Sequence, residues 1–119
     1  HGNRLTAEVL SQLHKNSLAF IEQELTHVSP ELKTIVVTHH VPTFIRYPEI
    51  YFGDVLNEAF AVELKHFIRK LKPDYWIYGH HHCNTVDFFI DNTLLLTNQM
   101  GYVRNHENER FDRSKIITI

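Results

Sequence analysis

Apolar side chains at Val9, Leu10, Leu13, Leu18, Ile21 and Leu25 fall mostly three and four residues apart, the period of one helix face. Thr6 stands where an N-cap belongs and Glu8 falls in the first turn, where the helix dipole favours negative charge. The spacing predicts a helix over about residues 7–25, ended by Ser29-Pro30. The period then changes. Ile35-Val36-Val37 is a β-branched run that predicts a strand over residues 34–38, buried on both faces. Pro42 stops its pairing, because proline has no N–H for the ladder. Residues 43–56 mix aromatics with Pro48 and Gly53 and read as a long loop, of a length that commonly serves as a pocket wall or lid. With Asn57 as cap, Phe60, Leu64, Phe67, Ile68 and Leu71 predict a second amphipathic helix, and Pro73 follows its end. Tyr75-Trp76-Ile77-Tyr78 runs into Gly79 and predicts a second buried strand, 75–79. Asn84–Ile90 and Thr93–Thr97 flank Asp91-Asn92, a hairpin signal. Residues Gln99–Ser114 read as loop and Lys115–Ile119 as a last short strand.

Strands 34–38 and 75–79 are separated by a helical segment, which is the order of a β-α-β unit. Such a unit makes its strands parallel and usually neighbouring, with a right-handed crossover, so the fold class is α/β. A chain of 119 residues, 43% hydrophobic, suffices for one modest domain over residues 1–119. Net charge is −2 with no basic run, so nothing points to nucleic acid or an anionic membrane surface. No apolar stretch reaches the length of a membrane span, and no signal-peptide pattern opens the chain. Cys83 is the single cysteine, which excludes intrachain disulfides and leans the localisation to the cytoplasm. The start at His1 without a Met, with a helix pattern almost at once, leads to the expectation of a fragment.

The chemistry is carried by histidine. Of 10 histidines, five sit in two short clusters, Thr38-His39-His40-Val41-Pro42 and Gly79-His80-His81-His82. Neutral imidazole binds zinc, iron, nickel, copper or manganese through one ring nitrogen. Gly79 allows a sharp turn at the strand end. In extended chain, His80 and His82 project to one side and His81 to the other. Both clusters directly follow strands predicted to be parallel, and ligands of open α/β sheets bind at that edge. The expectation is that His39 or His40 converges with His80 and His82 on a metal. His40 and His81 are expected to pack or face solvent, and His14, His27, His66 and His106 read as ordinary surface histidines. A two-metal centre also needs a bridging carboxylate, since an imidazole nitrogen has one lone pair. Asp74 lies at the wrong end of its strand, Asp87 is mid-strand, Asp91 is in the distal turn, and Asp112 lies in the late polar segment. Only Asp54, in the loop, could approach, with plain solvation as its bland alternative.

Thr38-His39-His40-Val41-Pro42 and Trp76-Ile77-Tyr78-Gly79-His80-His81-His82, with Gly53–Asn57 and Asn98–Tyr102, resemble the second half of the calcineurin-like metallophosphoesterases. The resemblance implies part of a layered β-sandwich flanked by helices, lacking the N-terminal half. It implies that His39 and His80 bind one metal and His82 the other; Pro42, three positions on, sets the register that favours His39 over His40. It also implies divalent transition metals, two in the complete enzyme (Mn, Fe, Zn or Ni), that hydrolyse a phosphate mono- or diester through a bridging hydroxide. The family's Asp-x-His, Gly-Asp-x-x-Asp and Gly-Asn-His-Asp/Glu motifs are missing, and Gly2-Asn3-Arg4 matches the last only superficially. No general-acid histidine is therefore assigned, and the catalytic residues stay unknown. The chain alone is expected to be inactive, with the missing N-terminal half of the same protein and a phosphate ester as partners. The alternative is a non-catalytic, His-rich metal-binding module that forms homo-oligomers through an open sheet edge.

Overall fold

The computed structural model describes residues 5–119; the Gly2-Asn3-Arg4 stretch lies outside them. The chain divides into two compact units, one ending at Leu32 and one spanning Lys33–Ile119. In the first, α1 (Ala7–His27) starts at the predicted cap, where the Thr6 hydroxyl accepts from Val9 N–H at 3.3 Å. It runs two residues past the predicted end, and Leu18, Ile21 and Leu25 are half-buried along it. No helix among the described residues is long and apolar enough to cross a membrane.

The second unit is mixed α/β around one sheet. Its strands are β1 (Ile35–Val37), β2 (Tyr75–Ile77), β3 (Phe88–Ile90) and β4 (Thr93–Leu96), in the order β1-β2-β4-β3. β1 and β2 are parallel neighbours, as the β-α-β reading requires; β4 pairs parallel with the other side of β2, and β3 is antiparallel to β4 across a turn in which Asp91 takes φ 50°. The register places Val36, Trp76, Leu95 and Phe88 in one row across the sheet, and all four are buried. Ile35 and Val37 point the other way on β1 and are exposed, so that strand is buried on one face only, against the expectation of two.

The predicted helix from Asn57 to Leu71 is two helices, α2 (Asn57–Phe60) and α3 (Lys65–Leu71). Between them the chain is extended, because Val41 pairs with Ala61 in parallel. Val41 N–H donates to the Phe60 carbonyl at 3.1 Å, and Val62 N–H donates to the Val41 carbonyl at 3.0 Å. Asn57 is the first residue of α2 rather than its cap; its amide donates to the Tyr51 carbonyl at 2.6 Å and accepts from the Tyr47 hydroxyl at 3.0 Å. Those bonds close residues 47–57 on themselves around a 3-10 turn at Glu49–Tyr51, and the Tyr51 hydroxyl ties the segment to the His81 carbonyl at 2.8 Å. Ile68 on α3 is fully buried, and α3 lies against β3. Lys115–Ile119 is not a strand; the Tyr75 hydroxyl donates to the Thr118 carbonyl at 3.1 Å, a side-chain tie where a ladder was expected.

Candidate metal centre

Hydrogen bonds continue past the assigned strand ends and bring both histidine turns to one edge. Thr38 N–H donates to the Ile77 carbonyl at 3.0 Å, and Gly79 N–H to the His39 carbonyl at 3.2 Å. The side chains follow. His39 Nε2 and His80 Nδ1 are 2.8 Å apart, and the ring centroids of His39, His40 and His80 lie 4.7 to 5.1 Å from one another. Phe60 lies 4.7 Å from the His80 ring, centroid to centroid. Under the cluster, Trp76 Nε1–H donates to the Thr38 hydroxyl at 3.0 Å, which itself donates to the His40 carbonyl at 2.9 Å.

Two imidazole nitrogens in hydrogen-bond contact must share one proton, with one ring donating and the other accepting. Burial, then the neighbouring His40 and His39, hold His80 below the ordinary imidazole pKa. The neutral form that this favours is the form that binds metal. Two nitrogens on one tetrahedral ion stand about 3.3 Å apart, given bond lengths of about 2.0–2.1 Å. The observed pair is therefore within about half an ångström of a two-ligand spacing. By donor chemistry and position His39 and His80 fit as part of a metal shell. Among the described residues, no group of three or more His, Cys, Asp or Glu side chains is placed to hold an ion.

The three consecutive histidines do not alternate as extended chain would. His80 and His82 have φ of 77° and 51°, in the left-handed region. Non-glycine residues there carry strain of about 1–2 kcal/mol each. Gly79 itself does not take a positive φ, and a Cβ on it would meet only ordinary contacts, at 3.6 Å from the His39 oxygen and 3.7 Å from Gln99 Oε1. The turn expected of the glycine is thus made by two histidines. As a result His80 and His82 meet different neighbours: His80 meets His39 and His40, whereas His82 Nδ1 lies 2.9 Å from Glu107 Oε2, its ring 4.7 Å from Tyr102. His81 packs. It is buried beside the Tyr47, Tyr51 and Tyr78 rings, and its Nδ1 accepts from Gln99 Nε2 at 2.9 Å. Burial foremost pushes its pKa down to about 4.

Each aspartate weighed as a bridge is engaged elsewhere. Asp74 binds Thr34 and Lys33, Asp87 pairs with Lys115, and Asp91 with Arg69. Asp54 accepts from Leu56 N–H and Asp112 from Ser114 N–H, both within local turns. The loop after β4 supplies contacts that sequence reasoning missed. Gln99 Oε1 accepts from His82 N–H at 2.9 Å, and Asn84 Oδ1 accepts from Gln99 N–H at 2.6 Å. Asn84 Nδ2 donates back to the Gln99 carbonyl at 2.8 Å, so paired amides lock the exit of β4 to the exit of β2. Gln99 lies in the Asn98–Tyr102 stretch that carried part of the resemblance, but its bonds to Asn84 and His82 had no sequence signal.

A family model described as calcineurin-like phosphoesterase matches residues 1–84. No curated protein and no solved structure matches the chain. The matched span includes both histidine clusters and stops short of Gln99 and Glu107.

Proposed function

The chain belongs to the calcineurin-like phosphoesterases, and on that premise we propose that it supplies histidine ligands for metal-dependent hydrolysis of a phosphate mono- or diester. The observation that carries the reading is the 2.8 Å approach of His39 Nε2 and His80 Nδ1 from the ends of two parallel strands. His39 and His80 would hold one divalent cation (Mn, Fe, Zn or Ni) and His82 a second. Such cations, when bound, offset the charge that develops on the transferring phosphoryl group and acidify water. The chain's own part is to present imidazoles at the strand ends, with Phe60 packed against the His80 ring. The bridging carboxylate and the proton donor to the leaving group come from outside these residues, so the 119-residue chain alone is inactive or nearly so.

Metal content after dialysis tests the ligands. The wild-type chain is expected to retain divalent metal, and His80→Ala with His82→Ala to lose it; unchanged metal in the double variant removes the site. Metal-dependent cleavage of p-nitrophenyl phosphate, or of its bis ester, at an appreciable rate by the chain alone would overturn the division of labour.

One observation favours a second reading as a homo-oligomerising module. β1 is an edge strand, and its Val37 is 70% exposed. Light scattering on Val37→Lys decides it: a dimer that becomes a monomer supports the edge contact, and a monomeric wild type rejects it.

A further inference from the structure

Glu107 reaches His82 from a loop that neither histidine cluster includes. Its Oε2 lies 2.9 Å from His82 Nδ1 and accepts from Tyr102 N–H at 2.6 Å, while Oε1 accepts from Asn105 Nδ2 at 3.1 Å. Both carboxylate oxygens are therefore occupied by groups of this chain. Space for the approach is made at Gly101, where an added Cβ would stand 2.5 Å from Glu107 Cβ and 3.2 Å from His82 Cβ. The Tyr102 ring stands edge-on to the imidazole, 4.7 Å away with an interplanar angle of 84°, and limits its rotation. An ionised carboxylate only accepts, so the hydrogen of this contact sits on His82 Nδ1 and the ring's lone pair is left on Nε2.

We propose that Glu107 is a positioning residue that fixes His82 as its Nδ1–H tautomer, so that Nε2 alone is offered to a divalent cation. The proposal rests on His82 being a ligand. Partners of this kind set ring orientation and ligand basicity, and their loss typically weakens metal binding about 10–100-fold. Nothing in the contact requires the metal to be present, which makes the tautomer measurable without it.

Long-range proton–nitrogen NMR of the metal-free protein, labelled with ¹⁵N-histidine at pH 8, reads the tautomer; titration with Co²⁺ reads the affinity. Wild-type His82 is expected to carry its hydrogen on Nδ1. In Glu107→Ala the hydrogen moves toward Nε2 and Co²⁺ affinity falls about 10–100-fold. Glu107→Gln, whose amide oxygen still accepts, keeps most of both, and Gly101→Ala, which displaces the carboxylate, follows the alanine variant. A wild-type His82 protonated on Nε2 overturns the proposal without any variant, as does a tautomer or Co²⁺ affinity indifferent to Glu107→Ala. Unchanged Co²⁺ affinity in His82→Ala is a separate failure, that of the ligand assignment itself.

Discussion

β1 and β2 are joined side chain to side chain at both ends, by opposite means. Where they begin, Asp74 Oδ2 accepts from Thr34 N–H at 2.9 Å and from the Thr34 hydroxyl at 3.0 Å, while Oδ1 takes the Lys33 ammonium at 2.9 Å. Asp74 N–H donates back to the Thr34 hydroxyl at 3.0 Å, so the bonds are reciprocal. Where the strands end, the links are a hydrogen bond between two imidazoles and the Trp76 Nε1–H bond to the Thr38 hydroxyl beneath it, beside a third ring and on a backbone that turns left-handed at His80. The first end is a closed arrangement that fixes register. The second holds basic nitrogens close together, beside a backbone strained at His80. The same residue type would serve neither end equally, because a carboxylate accepts several bonds at once and an imidazole nitrogen only one.

The sharpest break of this comparison is Trp76→Ala. The indole is fully buried midway along β2 and reaches Thr38 at the histidine end, so the two ends share it as a frame. A loss of about 3–5 kcal/mol is expected in chemical denaturation; a loss below about 1 kcal/mol would mean that the strand pair is not that frame. Asp74→Ala should cost about 2 kcal/mol, since Thr34 loses acceptors for both its N–H and its hydroxyl. Its Co²⁺ affinity should stay within about twofold of wild type; a larger drop would show that the ends are coupled.

Acid sharpens the contrast further. The Thr34 backbone N–H, then Lys33, hold the Asp74 carboxyl down from 3.8 to about 2. The folded protein thus binds fewer protons here than the unfolded chain, and the stabilisation is complete above about pH 4 and lost as pH falls toward about 2. Without screening that shift is worth about 2.5 kcal/mol; at this open surface about 1 kcal/mol remains. Denaturation midpoints at pH 5 and pH 2.5 should differ less in Asp74→Asn than in wild type by that amount; equal pH dependence removes the clamp's ionic part. The smallest effect is expected at Gly79→Ala, within about 0.5 kcal/mol, because the position is neither left-handed nor crowded. A large loss there would return the turn to the glycine.

What the sequence made legible was what strong period or turn chemistry dictates locally. α1 with its Thr6 cap, the parallel pair β1 and β2 and the turn at Asp91 fall where the pattern places them, whereas the parallel seating of β4 beside β2 does not follow from any local pattern. The parallel pairing in turn carried His39 and His80 to one edge, which no local pattern could do alone. The unbroken helix from Asn57 failed for a non-local reason: Val41, sixteen positions before Asn57, recruits Ala61 into a bridge that propensity does not foresee. The shared facing of His80 and His82 failed because alternation holds only while the chain stays extended, and it leaves that state at His80. Glu107 was hidden in a polar stretch of unremarkable composition, and only its packing against Gly101 marks it.

The run His80-His81-His82 sends its three rings to three destinations: the His39 imidazole, the Gln99 amide and the Glu107 carboxylate. Such a tripeptide tolerates exchange of a side chain far better than a change of length. Deleting or duplicating a single histidine would leave the local composition almost untouched while delivering every ring to its neighbour's address.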